Sequence, residues 1–402
     1  MTTSDAGCDH RPRQPAILSY GFRPMFFATG SWAIVAVTLW LAMFLGGLHM
    51  PTRLGPLAWH IHEMLFGFVM AAVAGFLLTA MPNWTRRSPI QGWHLALLVG
   101  LWLLGRMACL FSAYLPAWLA IIADLSFPLA LLAVVARHVV AARSWRNLPM
   151  ITPLSVFIIA DVLMHLESLG MHGPNGLGWR LGVMAPVILI SVIGGRIIPS
   201  FTHNWLVQRR TAQLPATHNA IDISAIGVLH AGLILWAALP NLHWAGIVLL
   251  IAAVLNAWRL ARWAGNATLA EPLLFILHVG YGWVVVGTAL LGLAVLNTGI
   301  TVAAAIHALG TGAIGTMILA VMPRVTLGHT GRKLAAGKTT LVIFALATIA
   351  GVTRVAASWQ PGDVEFLLLL SGACWIAAFG LFEIVYGPML LRPSPRRSDP
   401  RP

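Results

Sequence analysis

The stretch LAWHIHEMLFGFVMAAVAGFLLTAM, residues 57–81, decides what kind of molecule this is. Past its histidines and Glu63 it runs on without a charge. A helix of about 20 apolar residues crosses the 30 Å hydrocarbon core of a bilayer. A barrel strand would alternate in polarity instead. This stretch is therefore expected to be a membrane-spanning helix with two histidines and a glutamate at its mouth.

Working outward, similar apolar runs fill the chain. Twelve helices are expected, over about 26–48, 57–81, 92–113, 116–136, 151–170, 179–199, 221–239, 243–260, 272–296, 299–322, 339–358 and 364–391. The residues are 58% hydrophobic and 9% charged, against roughly 25% charged in soluble domains, and mean hydropathy is +0.82. The fold class is all-α, a polytopic membrane bundle. The polar start MTTSDAGCDHRPRQP lacks the apolar core and cleavage site of a signal peptide.

The net charge of +13 suggests nucleic acid until its placement is read. Of the 25 Lys and Arg, 21 fall in the two tails or beside the loops after helices 2, 4, 6, 8 and 10. Arg53, Arg180 and Arg354 lie toward the other face, and Arg106 lies within helix 3. Basic loops stay cytoplasmic, so both termini are expected inside, with anionic membrane lipids as neighbours and no nucleic acid partner. Cys8, Cys109 and Cys374 are too scattered for a disulfide framework or a CxxC metal site.

An internal repeat is also expected. The inner ends of helices 2, 6 and 10 read MPNWT (81–85), IPSFT (198–202) and MPRVT (322–326), and helices 1, 5 and 9 open with RPMFF, TPLSVF and EPLLF. Three four-helix units follow, about 23–150, 151–270 and 271–393, between tails 1–22 and 394–402. Helices 2, 6 and 10 would then surround a pseudo-threefold axis where their histidines meet.

Sorted by depth, His60, His62, His165 and His307 belong to the outer half, His230 to the middle and His278 to the inner side. Neutral imidazole suits copper, iron and zinc, and ionisable residues inside a membrane are functional candidates by default. His60 and His62 point about 200° apart on a regular helix. They share one metal only if the turn after Pro56 is irregular; otherwise one ligates and one caps. His60 and Glu63 share a face, so Glu63 is a candidate acceptor for a ligating imidazole. Gly67, Ala71 and Gly75, like Gly310, Thr311 and Gly315, either let helices pack closely or leave room for a flat cofactor. Met184 is a possible thioether ligand, more often a packing residue. Arg106 is expected to pair with Asp124 across a hairpin, and Arg354 to have Asp363 and Glu365 beyond its turn.

The motifs GFRPMFF (21–27), WHIHEMLFG (59–67), LTAMPNWT (78–85), GGRIIPSFT (194–202), LHVGYGW (277–283), HALGTGAIGTM (307–317), LGHTGR (327–332) and YGPMLLRP (386–393) resemble the NnrS family. These are bacterial inner-membrane proteins associated with haem, copper and the response to nitric oxide. The resemblance spans almost the whole chain. It implies haem, expected to be b-type, together with copper and a part in tolerance of nitric oxide; no CxxCH is present to attach a c-type haem. His60, His62 and Glu63 match the WHxHEM motif and His307 the HALxxGAIGTM motif; Arg324 and His329 lie at the inner face. Expected ligands are His60, His62 and His307, then His165, His230 and His278. Arg106 and Arg354 are candidates for haem propionates if their acidic neighbours leave them free. Whether the chemistry includes turnover stays open. The alternatives are a transporter using the histidines as a proton or substrate relay, and a nitric oxide scavenger or sensor without turnover.

Overall fold

Long runs of Leu, Ile, Val and Ala become helices because lipid offers no partner to backbone amides, so each segment must satisfy its own. The computed structural model describes residues 15–143, 151–171, 176–211, 213–359 and 362–395. The tail through residue 14 with Cys8, the tail beyond 395, and the first expected repeat boundary near 150 lie outside the described residues. Among the described residues, twelve helices are long and apolar enough to cross a membrane. They are α1 (Phe22–Phe44), α2 (Pro56–Thr85), α3 (Gly92–Leu110), α4 (Ala117–Ala141), α5 (Ile151–Ser168), α6 (Leu177–Gln208), α7 (Ala220–Ala238), α8 (His243–Ala261), α9 (Pro272–Val295), α10 (Val302–His329), α11 (Lys338–Trp359) and α12 (Val364–Leu391). No strand occurs among the described residues. The protein is a multi-pass membrane bundle. Its exterior exposes apolar side chains such as Val254 and Ile384, while Trp93, Trp118, Trp244, Trp258 and Trp359 are exposed near span ends, the position of an interfacial aromatic belt.

Three spans outrun the sequence reading. α2, α6 and α10 continue through Pro82, Pro199 and Pro323, where helix ends were expected. Proline removes one backbone donor and crowds the preceding turn, a break that membrane helices tolerate. In each motif a threonine three residues on also bonds the carbonyl just before the proline. Thr85 donates to the Met81 carbonyl at 2.8 Å, Thr202 to Ile198 at 2.9 Å and Thr326 to Met322 at 2.7 Å.

The same three spans depart from regular winding. Glu63–Val69, Ile190–Gly194 and Ala308–Gly315 are π-helical. A π turn widens the helix by a residue and re-aims every side chain beyond it. α2, α6 and α10 leave two cavities between them, with help from α1, α11 and α12. α1 packs closely on α2 because Gly67 and Gly75 lack the Cβ that would strike Trp32 and the Phe26 ring. This stripe is thus a packing surface, with no room for a flat cofactor.

The two chain ends are tied together. The buried Arg23 guanidinium donates to the carbonyls of Leu390 (2.9 Å) and Arg392 (2.7 Å) at the end of α12. A cation at a helix C-terminus satisfies orphan carbonyls and complements the helix dipole.

Candidate functional site

Near the start of α2 the chain divides two histidines between two places. Pro56–His62 is regular α-helix, so His60 and His62 point to different sides of it. His62 enters a buried charge cluster, and His60 faces a cavity.

The cluster draws on five spans. His62 Nδ1 lies 3.2 Å from Glu63 Oε1, while its Nε2 lies 3.0 Å from Asp161 Oδ1 and 3.1 Å from Asp124 Oδ2. His165 Nε2 meets the same Asp124 oxygen at 2.8 Å. Arg106 donates to Glu63 Oε2 at 2.7 Å and to Asp124 Oδ1. Trp32 Nε1 donates to Glu63 Oε2 at 2.9 Å. His62, Glu63 and Asp161 are fully buried. Charges this deep are sustained only by pairing, and here two carboxylates hold one guanidinium while a third, Asp161, meets the imidazoles. Both ring nitrogens of His62 face carboxylate oxygens. That arrangement is complete only when each nitrogen carries a proton or a cation takes the proton's place. Asp161 Oδ2 has no hydrogen-bond partner among the described residues. One ligand atom each from His62, Cys109, Asp124 and His165 lies within 4.8 Å of the others. The cluster can hold a cation or store protons.

The cavity lies on the other side of α2. It has a volume of about 330 Å³ and is walled by Val, Leu, Ile, Phe and Trp side chains, with His60, His307 and Arg354 as its ionisable groups. The His60 ring stacks on Trp40 at 4.2 Å, and its buried Nδ1 has no partner among the described residues. His307 Nδ1 donates to the Ala303 carbonyl at 2.7 Å, which fixes the tautomer and presents Nε2 as a lone pair. Gly310 and Thr311 keep the wall beside His307 thin. Arg354 donates to Ser358 Oγ at 2.6 Å and lies over the Trp40 ring. A flat apolar ligand bearing carboxylates matches these groups.

These features stand in sequence segments that match one protein family along residues 16–394. The chain belongs to the NnrS protein family. It is thus a multi-pass membrane protein of a family of the nitric oxide response. No curated protein matches it.

Within this NnrS chain the expected site residues fall into groups. His60, His307 and Arg354 meet at one cavity. His62, His165, Glu63 and Arg106 meet in the cluster. His60 and His62 therefore do not share a metal, because the regular first turn of α2 parts them. Glu63 does not support His60: it contacts His62, Arg106 and Trp32. Arg106 pairs with Asp124 as expected and is also held by Glu63. Arg354 forms no ion pair with Asp363 or Glu365 among the described residues, having turned inward toward Trp40.

The remaining histidines sit elsewhere. His230 Nε2 meets Ser191 Oγ at 2.8 Å. His278 donates from Nδ1 to the Leu274 carbonyl at 3.2 Å and meets Thr202 Oγ1 at 3.3 Å. These hydrogen bonds orient both rings, and neither ring lines the histidine cavity. Arg324 stacks on Phe201 and His329 packs against Phe22, away from both sites. Met184 is buried in the core, while Met64 lines the histidine cavity.

Sequence reasoning missed two features. Asp161 was readable as an ionisable residue inside a span, four residues before His165 on the same helical face. Arg259 reads as a loop residue but is buried, with Nε on Asp222 at 3.1 Å and Nη1 on Tyr281 at 2.7 Å.

Proposed function

We propose that this protein binds haem and copper in the bacterial inner membrane and acts in tolerance of nitric oxide. The observation that carries the reading is the meeting of His60 and His307, from spans far apart in sequence, on one apolar cavity with imidazole nitrogens left bare. Both residues fit a haem there. His307 is oriented by its bond to Ala303, His60 by its stacking on Trp40, and Arg354 supplies a cation for propionate carboxylates. The apolar walls exclude water and admit a lipophilic diatomic from the bilayer. Bound haem would supply an iron able to take such a diatomic, with affinity set by nearby polarity.

The buried cluster suits copper. Imidazoles and a thiol are donors this metal favours, and His62, His165 and Cys109 offer them beside Asp124. With neutral imidazoles, the carboxylates exceed Arg106 by two charges, a surplus a divalent cation offsets. The unpartnered Asp161 oxygen fits the same vacancy in charge. The placement of basic residues supports cytoplasmic termini, and thus both sites on the outer half.

The test is the absorption spectrum of the detergent-purified protein, oxidised and dithionite-reduced, with iron and copper measured on the same sample. A Soret band that shifts on reduction is expected, lost in His60→Ala and His307→Ala and kept in His278→Ala. Cys109→Ser and His165→Ala are expected to lose copper and keep the band. Saturable nitric oxide binding without product would mark a scavenger or sensor. A colourless, metal-free protein from cells with ample haem and copper would refute the reading. Transport would then lead, since the two cavities follow each other along the α2, α6 and α10 spans; solute uptake by vesicles would test it.

A further inference from the structure

A second cavity adjoins the first. It measures about 110 Å³, a third of the histidine cavity, and is bounded by α2, α6 and α10 with Phe26 of α1. Ala72, Val73, Phe76, Ile193, Ile318 and Val321 contribute to its wall, and no side chain there can form a strong hydrogen bond. Water needs two to four polar partners to occupy a cavity, and a charged or hydrogen-bonding solute would lose its own partners on entry. A stable occupant is uncharged and apolar. An engineered apolar cavity of about 150 Å³ takes benzene or xenon, so this one suits a molecule smaller than benzene.

Its position is as telling as its lining. Val69 and Ile314 belong to the walls of both cavities. Val69 closes the π turn of α2, Ile314 lies in that of α10, and Ile190, Ile193 and Gly194 bring in that of α6. The irregular turns of α2 and α10, which a continuous hydrophobic pattern does not require, meet where the cavities touch, and that of α6 lines the second cavity.

We propose that the second cavity is a docking chamber for a small apolar gas molecule, which passes the Val69–Ile314 waist to reach the histidines. A lipophilic gas dissolves in the bilayer, and a dry chamber would concentrate it beside the groups that bind it. The link to His60 and His307 rests on the haem reading; occupancy of the chamber does not.

Xenon is the probe. The full chain in detergent is expected to show one saturable xenon site by hyperpolarised-xenon NMR, and anomalous scattering from xenon-pressurised crystals should place it between α2, α6 and α10. Ala72→Phe, which fills the chamber, should weaken xenon binding by about tenfold or more. Ile318→Ala, which enlarges it, should change the affinity about threefold or more in either direction, and decides the matter if Ala72→Phe does not fold. Absence of saturable xenon binding, undiminished binding in folded Ala72→Phe, or a lipid or detergent tail seated in the chamber would overturn the proposal. A colourless protein that still takes up xenon would refute the haem reading and leave the chamber standing. A protein with a Soret band and no xenon site would do the reverse.

Discussion

Replacing Arg106 by leucine removes the one guanidinium of the buried cluster. Its Nη1 lies 2.7 Å from Glu63 Oε2, and its second nitrogen contacts Asp124 Oδ1. At that distance one ion pair is worth about 6 kcal/mol gross at an effective dielectric of 20. Part of this repays desolvation, and the guanidinium is shared, so the two pairs do not add. Arg106 is 3% exposed and Glu63 fully buried, so solvent screening brings no discount. Breaking such a pair by removing one partner costs about 3–5 kcal/mol, which is roughly two to three and a half orders of magnitude in the folding equilibrium. The assay is reversible unfolding of metal-free protein in mixed micelles, followed by tryptophan fluorescence. Arg106→Lys should lose about 1–2 kcal/mol, since an ammonium keeps the charge but not the fork that spans both carboxylates. A double-mutant cycle of Arg106→Leu with Glu63→Gln should give a coupling of about 1–3 kcal/mol. A loss below about 1 kcal/mol for Arg106→Leu, or additivity within about 0.5 kcal/mol, would refute the paired-charge account of this cluster.

Gly195→Ala should destabilise by about 1–3 kcal/mol through overpacking, because the new Cβ falls on the Arg259 guanidinium. Gly227→Ala, which meets nothing, should be neutral or slightly stabilising in the same unfolding assay. Arg23→Gln should cost about 1–3 kcal/mol and raise hydrogen exchange at the end of α12, with little effect elsewhere; uniform protection there would contradict the capping role. If the cavity holds haem as proposed, Trp40→Leu should loosen both His60 and Arg354 around it. The expected result is faster loss of the chromophore to apomyoglobin, and an unchanged rate would show that the stacking does not hold the ring.

Much of this architecture is written in local composition. Twelve spans follow from apolar length, because the transfer energy of each side chain into hydrocarbon adds along a helix whatever its neighbours do. The Arg106–Asp124 pair was also legible, since a short turn between α3 and α4 sets their depths. The three proline motifs mark α2, α6 and α10, which border both cavities, and His60 and His307 line one of them. What the sequence left undecided was the assignment of each charge to a partner. His60 and His62 are two residues apart, yet they enter different sites, and Glu63 joins His62 instead of the helical neighbour that spacing offered. Asp161 finds a partner three spans back on α2, and Arg259 is held between Asp222 of α7 and Tyr281 of α9. Pairing energies depend on distances between spans, and those distances are set by how glycine stripes seat α1 on α2 and by where the π turns rotate the helix faces. Hydrophobic length is a property of each segment, but a buried charge is stabilised only by what the folded bundle brings within about 3 Å of it.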